Sequence, residues 1–156
     1  MSDPNPARVV ADADVLAADL LVGGDARQAM DVVRKHSWVE LVASDPLLDD
    51  AERIVADLAD DDLATAWREK VDDLRVRVEH EAGDQPALAS AYAGGAAHVL
   101  SYDDALRSAK TGAALQGRID VSVKRPDGFV SLFDAASLYE AVVGGEYPGP
   151  DRDPRD

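Results

Sequence analysis

Short apolar runs alternate with amphipathic stripes along most of the chain. Arg8-Val9-Val10-Ala11 reads as a buried strand, and the residues after Asp12 take helical spacing as far as Leu21, where Gly23-Gly24 stops them. A second helix is expected over 25–36 with Asp25 as its N-cap, and 38–43 returns to β character. Ser44-Asp45-Pro46 opens a third helix with proline in its first turn; Leu47, Leu48, Ala51, Ile54, Val55 and Leu58 form its stripe, and Asp60-Asp61-Asp62 its end. Leu63, Trp67, Val71, Leu74 and Val78 advance by four, four, three and four, which predicts one helix face from 63 to about 81, stopped by Gly83. Asp84 is expected to cap the next helix, with Pro86 in its first turn and Gly94-Gly95 at its close. A strand over 98–101, a short helix over 103–110, a last strand over 119–124 and a final helix over 129–143 complete the pattern.

Strands alternating with helices predict an open α/β sheet, mainly parallel, with helices on both faces. Residues 8–143 are expected to form one domain, with a flexible 1–7 before it and a disordered acidic tail over 144–156, where three prolines and three glycines replace apolar periodicity. Ligands of such sheets gather beyond the carboxyl ends of the strands. Asp12 and Asp103 follow two of the expected strands and fall just there. Separated carboxylates that converge in a fold suit hard divalent cations, because oxygen ligands match them and nitrogen or sulfur adds little.

Composition narrows the classes. The chain has no cysteine, which excludes disulfides, thiolate metal sites and cysteine nucleophiles together. No run approaches the roughly 18 uninterrupted apolar residues of a membrane span, so a cytoplasmic protein is expected. The net charge is -15, aspartate outnumbers glutamate by 24 to 7, and arginine outnumbers lysine by 12 to 4. That balance resembles the halophilic surfaces of proteins from a salt-loaded cytoplasm, where the Debye length falls to about 3 Å at 1 M and self-repulsion is screened. Strong screening also weakens phosphate contacts, so a nucleic-acid substrate would have to be held by metal and local geometry.

Several segments together resemble the PIN-domain nucleases over about residues 8 to 132. Val9-Val10-Ala11-Asp12-Ala13-Asp14-Val15-Leu16 is similar to that family's opening strand and first acid, and Ser44-Asp45-Pro46-Leu47-Leu48-Asp49-Asp50 to the serine-led helix that carries its second. Asp84-Gln85-Pro86-Ala87-Leu88 is similar to its helix-opening aspartate. Val99-Leu100-Ser101-Tyr102-Asp103 is similar to its strand that ends in Thr or Ser, one spacer and Asp; Pro126 and Phe129 also fit. The resemblance implies a three-layer α/β/α sandwich and metal-dependent cleavage of RNA. Asp12, Asp84 and Asp103 would hold one or two Mg²⁺ or Mn²⁺ ions, and Asp50 would be the fourth acid, a position more often Glu, with Asp49 and Glu52 as alternatives. Ser101 would shape the site, and Asp14 stands where the family commonly has an Asn- or Thr-like partner. Crowded carboxylates of this kind should have raised pKa values without metal. RNA would be the substrate, and an antitoxin or RNA-processing partner, or a homodimer, would fit the same family.

Other readings remain beside it. A PIN-like fold can serve as a non-catalytic interaction module, and Asp12-Ala13-Asp14-Val15 also resembles the nucleophile and acid of haloacid-dehalogenase-type phosphatases, although a lysine for their phosphate site is hard to place. Each aspartate could instead be an ordinary helix cap. His36, His80 and His98 share no metal-binding spacing and read as structural, Trp38 and Trp67 read as core, and Arg68, Arg75 and Arg77 read as a solvated face paired at i,i+4 with Asp72, Glu79 and Glu81.

Overall fold

Val9, Val10 and Ala11 have no solvent exposure, as a strand covered on both faces requires. They belong to β1 (Asn5–Ala11), the centre of a five-stranded parallel sheet whose order in space is β3-β2-β1-β4-β5 in the computed structural model, which describes residues 5–81, 85–103, 106 and 121–153. The other strands are β2 (Glu40–Ser44), β3 (Val76–Val78), β4 (Ala96–Leu100) and β5 (Ser122–Lys124). Val9 pairs with Leu41 of β2 on one side and with His98 of β4 on the other, and Leu100 pairs with Lys124 of β5. The helices are α1 (Ala13–Leu21), α2 (Gly24–Lys35), α3 (Asp45–Leu58), α4 (Asp61–Leu74), α5 (Pro86–Gly94), α6 (Pro126–Leu132) and α7 (Ala135–Val142). They flank the sheet on both faces, giving the expected three-layer sandwich; α1 packs on α2 and α3, and α5 crosses β1, β2 and β4.

The chain builds outward from β1 through β2 to β3, then returns to place β4 on the other side. The point of reversal therefore lies between β1 and β4, where an open α/β sheet leaves a crevice at its carboxyl edge.

Several local expectations are corrected. Residues 5–7 are not a flexible leader: they extend β1, and Asn5 N–H donates to Gly95 O at 2.7 Å. The single helix expected over 63–81 ends at Leu74, because Val76–Val78 pairs in parallel with Val42–Ser44 while Arg75, at the helix end, donates to the Ala43 carbonyl. Asp60 does not finish α3; its carboxylate accepts from Leu63 N–H and starts α4. The helix expected over 129–143 is two, parted at Phe133 and Asp134, whose carboxylate caps α7. Gln85 caps α5 through Leu88 N–H. Asp84 and Gly83 lie outside the described residues, as does most of the expected 103–110 helix.

The stretch read as a disordered tail is tied to α2 as far as it is described. Its anchor is an aromatic group in which the His36 ring lies 5.4 Å from Trp38 and 5.7 Å from Tyr147, with His36 Nε2 2.6 Å from the tyrosine hydroxyl. Asp151 and Arg152 donate backbone N–H groups to Lys35 O, and the Arg152 guanidinium donates to the carbonyls of Val33 and His36. These bonds satisfy carbonyls that a helix end leaves open.

Gly94 shows how closely α5 sits on the sheet. A Cβ there would run into the Val42 side chain, which is wholly buried and cannot retreat, while Gly95 takes the left-handed conformation that closes the helix (φ 64°). Gly94→Ala gains about 1 kcal/mol of helix propensity and loses roughly 1–3 kcal/mol to overpacking. It should lower the midpoint of urea unfolding; an unchanged or higher midpoint would show that the helix can lift off β2 freely.

Candidate functional site

Asp12 is the first residue past β1, and its position is fixed from both sides. Its N–H donates to Leu100 O at 2.8 Å, extending the β1–β4 ladder by one step. Its Oδ1 accepts from Ala13 N–H at 2.8 Å, which makes it the N-cap of α1, and its Oδ2 accepts from the Ser101 hydroxyl at 2.9 Å. Asp12 is therefore both the helix cap of the bland reading and a member of a larger cluster.

Ser101 is the hinge of that cluster. It is fully buried just past β4, its N–H donates to Lys124 O at 3.0 Å, and its Oγ accepts from Asp103 N–H at 3.0 Å while donating to Asp12. The same turn brings Tyr102 N–H to Asp14 Oδ2 at 3.2 Å. Asp12, Asp14 and Ser101 are thus tied together at the carboxyl ends of β1 and β4, with the backbone of exposed Asp103 bonded to Ser101.

The electrostatics match this crowding. Asp12 is held above the ordinary carboxylate value chiefly by burial, with Ser101 and Ala13 opposing and the Asp103 and Asp50 charges adding repulsion. Asp14 is pushed up to about 6, again mainly by burial and next by Asp12, with Asp103 contributing; its bond from Tyr102 N–H opposes. Among the described residues the second oxygen of Asp14 is buried without a hydrogen-bond partner, although the Val15 backbone N–H also acts to lower the carboxyl's pKa. An anionic oxygen left in that state is costly unless a proton or a cation compensates it.

The alternatives for the fourth acid separate by their partners. Asp49 and Glu52 both turn to Arg68, at 2.7 and 3.0 Å, within a network that also joins Asp45 to Arg75 and Arg77. Arg68 does reach Asp72 four positions on, at 3.5 Å, whereas among the described residues Arg75 and Arg77 pair with Asp45 and not with Glu79 and Glu81 respectively, since both lie at or beyond the end of α4. Asp50 points elsewhere, ion-paired with Arg53 at 3.3 Å, and its charge reaches Asp12. Among the described residues, no three His, Asp or Glu side chains stand together at metal-ligating spacing. Asp84 lies outside them.

Sequence reasoning passed over two neighbours. The Arg125 guanidinium lies over the Tyr102 ring, 5.3 Å from its centroid, and Lys124 Nζ lies 3.2 Å from His98 Nδ1. Burial and the neighbouring lysine hold His98 down at about 4. The available signal was position: Tyr102, Lys124 and Arg125 lie at or just past the ends of β4 and β5, as Asp12 does for β1.

Fold and site together define a three-layer α/β protein with an aspartate cluster at the reversal point of a parallel sheet. The chain belongs to DUF7384, a family of unknown function whose profile matches residues 3–155. No curated protein and no solved structure matches it.

The raised carboxyl of Asp14 has a measurable sign. Because its folded value of about 6 exceeds the ordinary 3.8, the stability it confers is fully present below 3.8 and is lost as pH rises through about 6. With chelator present, Asp14→Asn should melt higher than the wild type at neutral pH, by on the order of 1 kcal/mol after allowance for partial exposure. The advantage should fade in acid. A variant less stable at every pH would show that the carboxylate is compensated within the fold.

Proposed function

We propose that this protein is a metal-dependent ribonuclease of the PIN type, hydrolysing RNA phosphodiester bonds in the cytoplasm with Mg²⁺ or Mn²⁺. The observation that carries the reading is the buried carboxyl of Asp14, raised by burial and by the Asp12 and Asp103 charges, with one oxygen that has no hydrogen-bond partner among the described residues. An all-oxygen, anionic donor set fits a hard divalent cation and does not fit a softer metal. Asp12 and Asp103 would hold the ion with Asp14 at its flank; the residue pattern adds Asp84 to this set. When bound, the ion lowers the pKa of a coordinated water and offsets charge developing on the phosphodiester.

The protein's own contribution is orientation. Ser101 fixes one oxygen of Asp12 and, by accepting from Asp103 N–H, sets where the Asp103 side chain begins. The N-terminus of α1 keeps the other oxygen of Asp12 in place. Asp50 adds negative charge near Asp12 without a hydrogen bond to the cluster, which favours retention of a cation over binding of an anion.

A second reading, a non-catalytic module in an RNA-processing or toxin–antitoxin assembly, draws support from two features. Among the described residues no three metal-competent side chains are assembled, and Leu132 and Val143 expose 75% and 50% of their surface near α6 and α7. No helix among the described residues is long and apolar enough to cross a membrane.

Thermal melting and RNA cleavage in concentrated salt separate the readings. Mn²⁺ at a hundred times its Kd should stabilise the wild type by about 2.7 kcal/mol, and should leave Asp12→Asn at its metal-free midpoint. Ser101→Ala should cut metal affinity or cleavage by roughly 10–100-fold, and Asp12→Asn and Asp103→Asn should abolish cleavage. If Mn²⁺ moves neither melting curve and no RNA is cut, the interaction module stands instead.

A further inference from the structure

Resting on the ribonuclease reading, we propose that Tyr102 and Arg125 form a stacking platform for one unpaired base of a single-stranded RNA, seating the adjoining phosphate beside Asp12 and Asp103.

The platform is built by the sheet. Leu100 and Lys124 are paired partners in β4 and β5, and Ser101 N–H donates to Lys124 O, so Tyr102 and Arg125 leave the sheet side by side. Arg125 then lies 5.3 Å from the Tyr102 ring centroid with about half of its side chain in solvent. A guanidinium over an aromatic ring can offer its outer face to a base, and its edge to a phosphate oxygen. Its ion pair with Asp127, at 3.4 Å, joins two half-exposed groups and leaves the guanidinium free to exchange partners.

Position makes this a substrate contact. Tyr102 is the residue between Ser101 and Asp103, and its own N–H is held by Asp14. A base resting on this ring would be carried by the residue that joins Ser101 to Asp103.

Charge selects the kind of RNA. Arg8, Arg34, Arg68 and Arg75 are bound to carboxylates, and Arg27 and Arg152 to helix-end carbonyls, which commits these six guanidinium groups within a chain whose net charge is -15. A duplex, gripped through rows of phosphates, needs a broad basic face. A single strand can be held by stacking, which is tolerant of sequence and survives salt better than phosphate pairing.

The test is a fluorescence-anisotropy titration in concentrated salt with Ca²⁺, using a labelled oligoribonucleotide alone and annealed to its complement, together with cleavage kinetics under Mn²⁺. The wild type should prefer the single strand. Arg125→Ala should weaken that binding about tenfold, as loss of one stacked base does, and raise KM with kcat unchanged. Arg125→Lys, which keeps the charge without the planar group, should not recover it; Tyr102→Phe, which keeps the ring, should bind like the wild type. Equal affinity of wild type and Arg125→Ala, preference for the duplex, or no binding at all overturns the platform. Arg125-dependent binding without Mn²⁺-dependent cleavage removes the nuclease reading and leaves the platform; cleavage with a KM indifferent to Arg125 does the reverse.

Discussion

The parallel pairing of β1 with β4 is the constraint on which the site depends. These strands are far apart in sequence, yet their ladder continues past the last strand residue through Asp12 N–H to Leu100 O, and it is this extra step that sets Asp12 opposite Ser101. From there one hydroxyl determines the rest: Ser101 donates to Asp12, accepts from Asp103 N–H, and thereby turns Tyr102 N–H toward Asp14. Four polar residues are placed by one register. A slip of that register by a single residue would send Ser101 to the opposite face and scatter the cluster.

The acid cluster costs the fold stability, and the surrounding contacts show where that cost is offset. Asp14 holds a buried oxygen without a partner among the described residues, while the apolar core beneath it, with Val9, Val10, Val15, Leu16 and Leu41 essentially sealed from solvent, supplies the compensating burial. Polar strain concentrated at one edge of an otherwise consistent core is what a functional site looks like in physical terms. The arginines follow the opposite rule. Arg34 grips Asp19 with two bonds of 2.7 Å, and Arg68 and Arg75 gather Asp45, Asp49, Glu52 and Asp72, so excess aspartate is tamed locally on α1, α3 and α4.

How much of this was legible in the sequence depended on how unambiguous each period was. The Val9-Val10-Ala11 run, the start of a helix at Ser44, and the alternation of strands and helices as far as α3 read directly, because each carries a strong local signal. The segment from Leu74 to Val78 carries two: Val78 sits four residues beyond Leu74, as a helix stripe demands, but Val76-Arg77-Val78 also alternates as a strand does. Pairing with β2, invisible locally, decided for the strand. Phe133-Asp134 likewise hides a break, since an aspartate inside a helical stripe and an aspartate capping a new helix look alike until the backbone is seen. Asp50 could be told from Asp49 and Glu52 only through Arg68, which lies on another helix.

The clasp on α2 has a further consequence for how the chain comes together. Arg152 closes the carbonyl of His36 at a sequence separation of 116, and Tyr147 meets the His36 imidazole at a separation of 111. During synthesis, the end of this helix must wait until residues 151 and 152 have been made before its last carbonyls find these donors. Contacts of such long sequence separation form late and slow the search. α2 is thus made among the first elements and finished among the last.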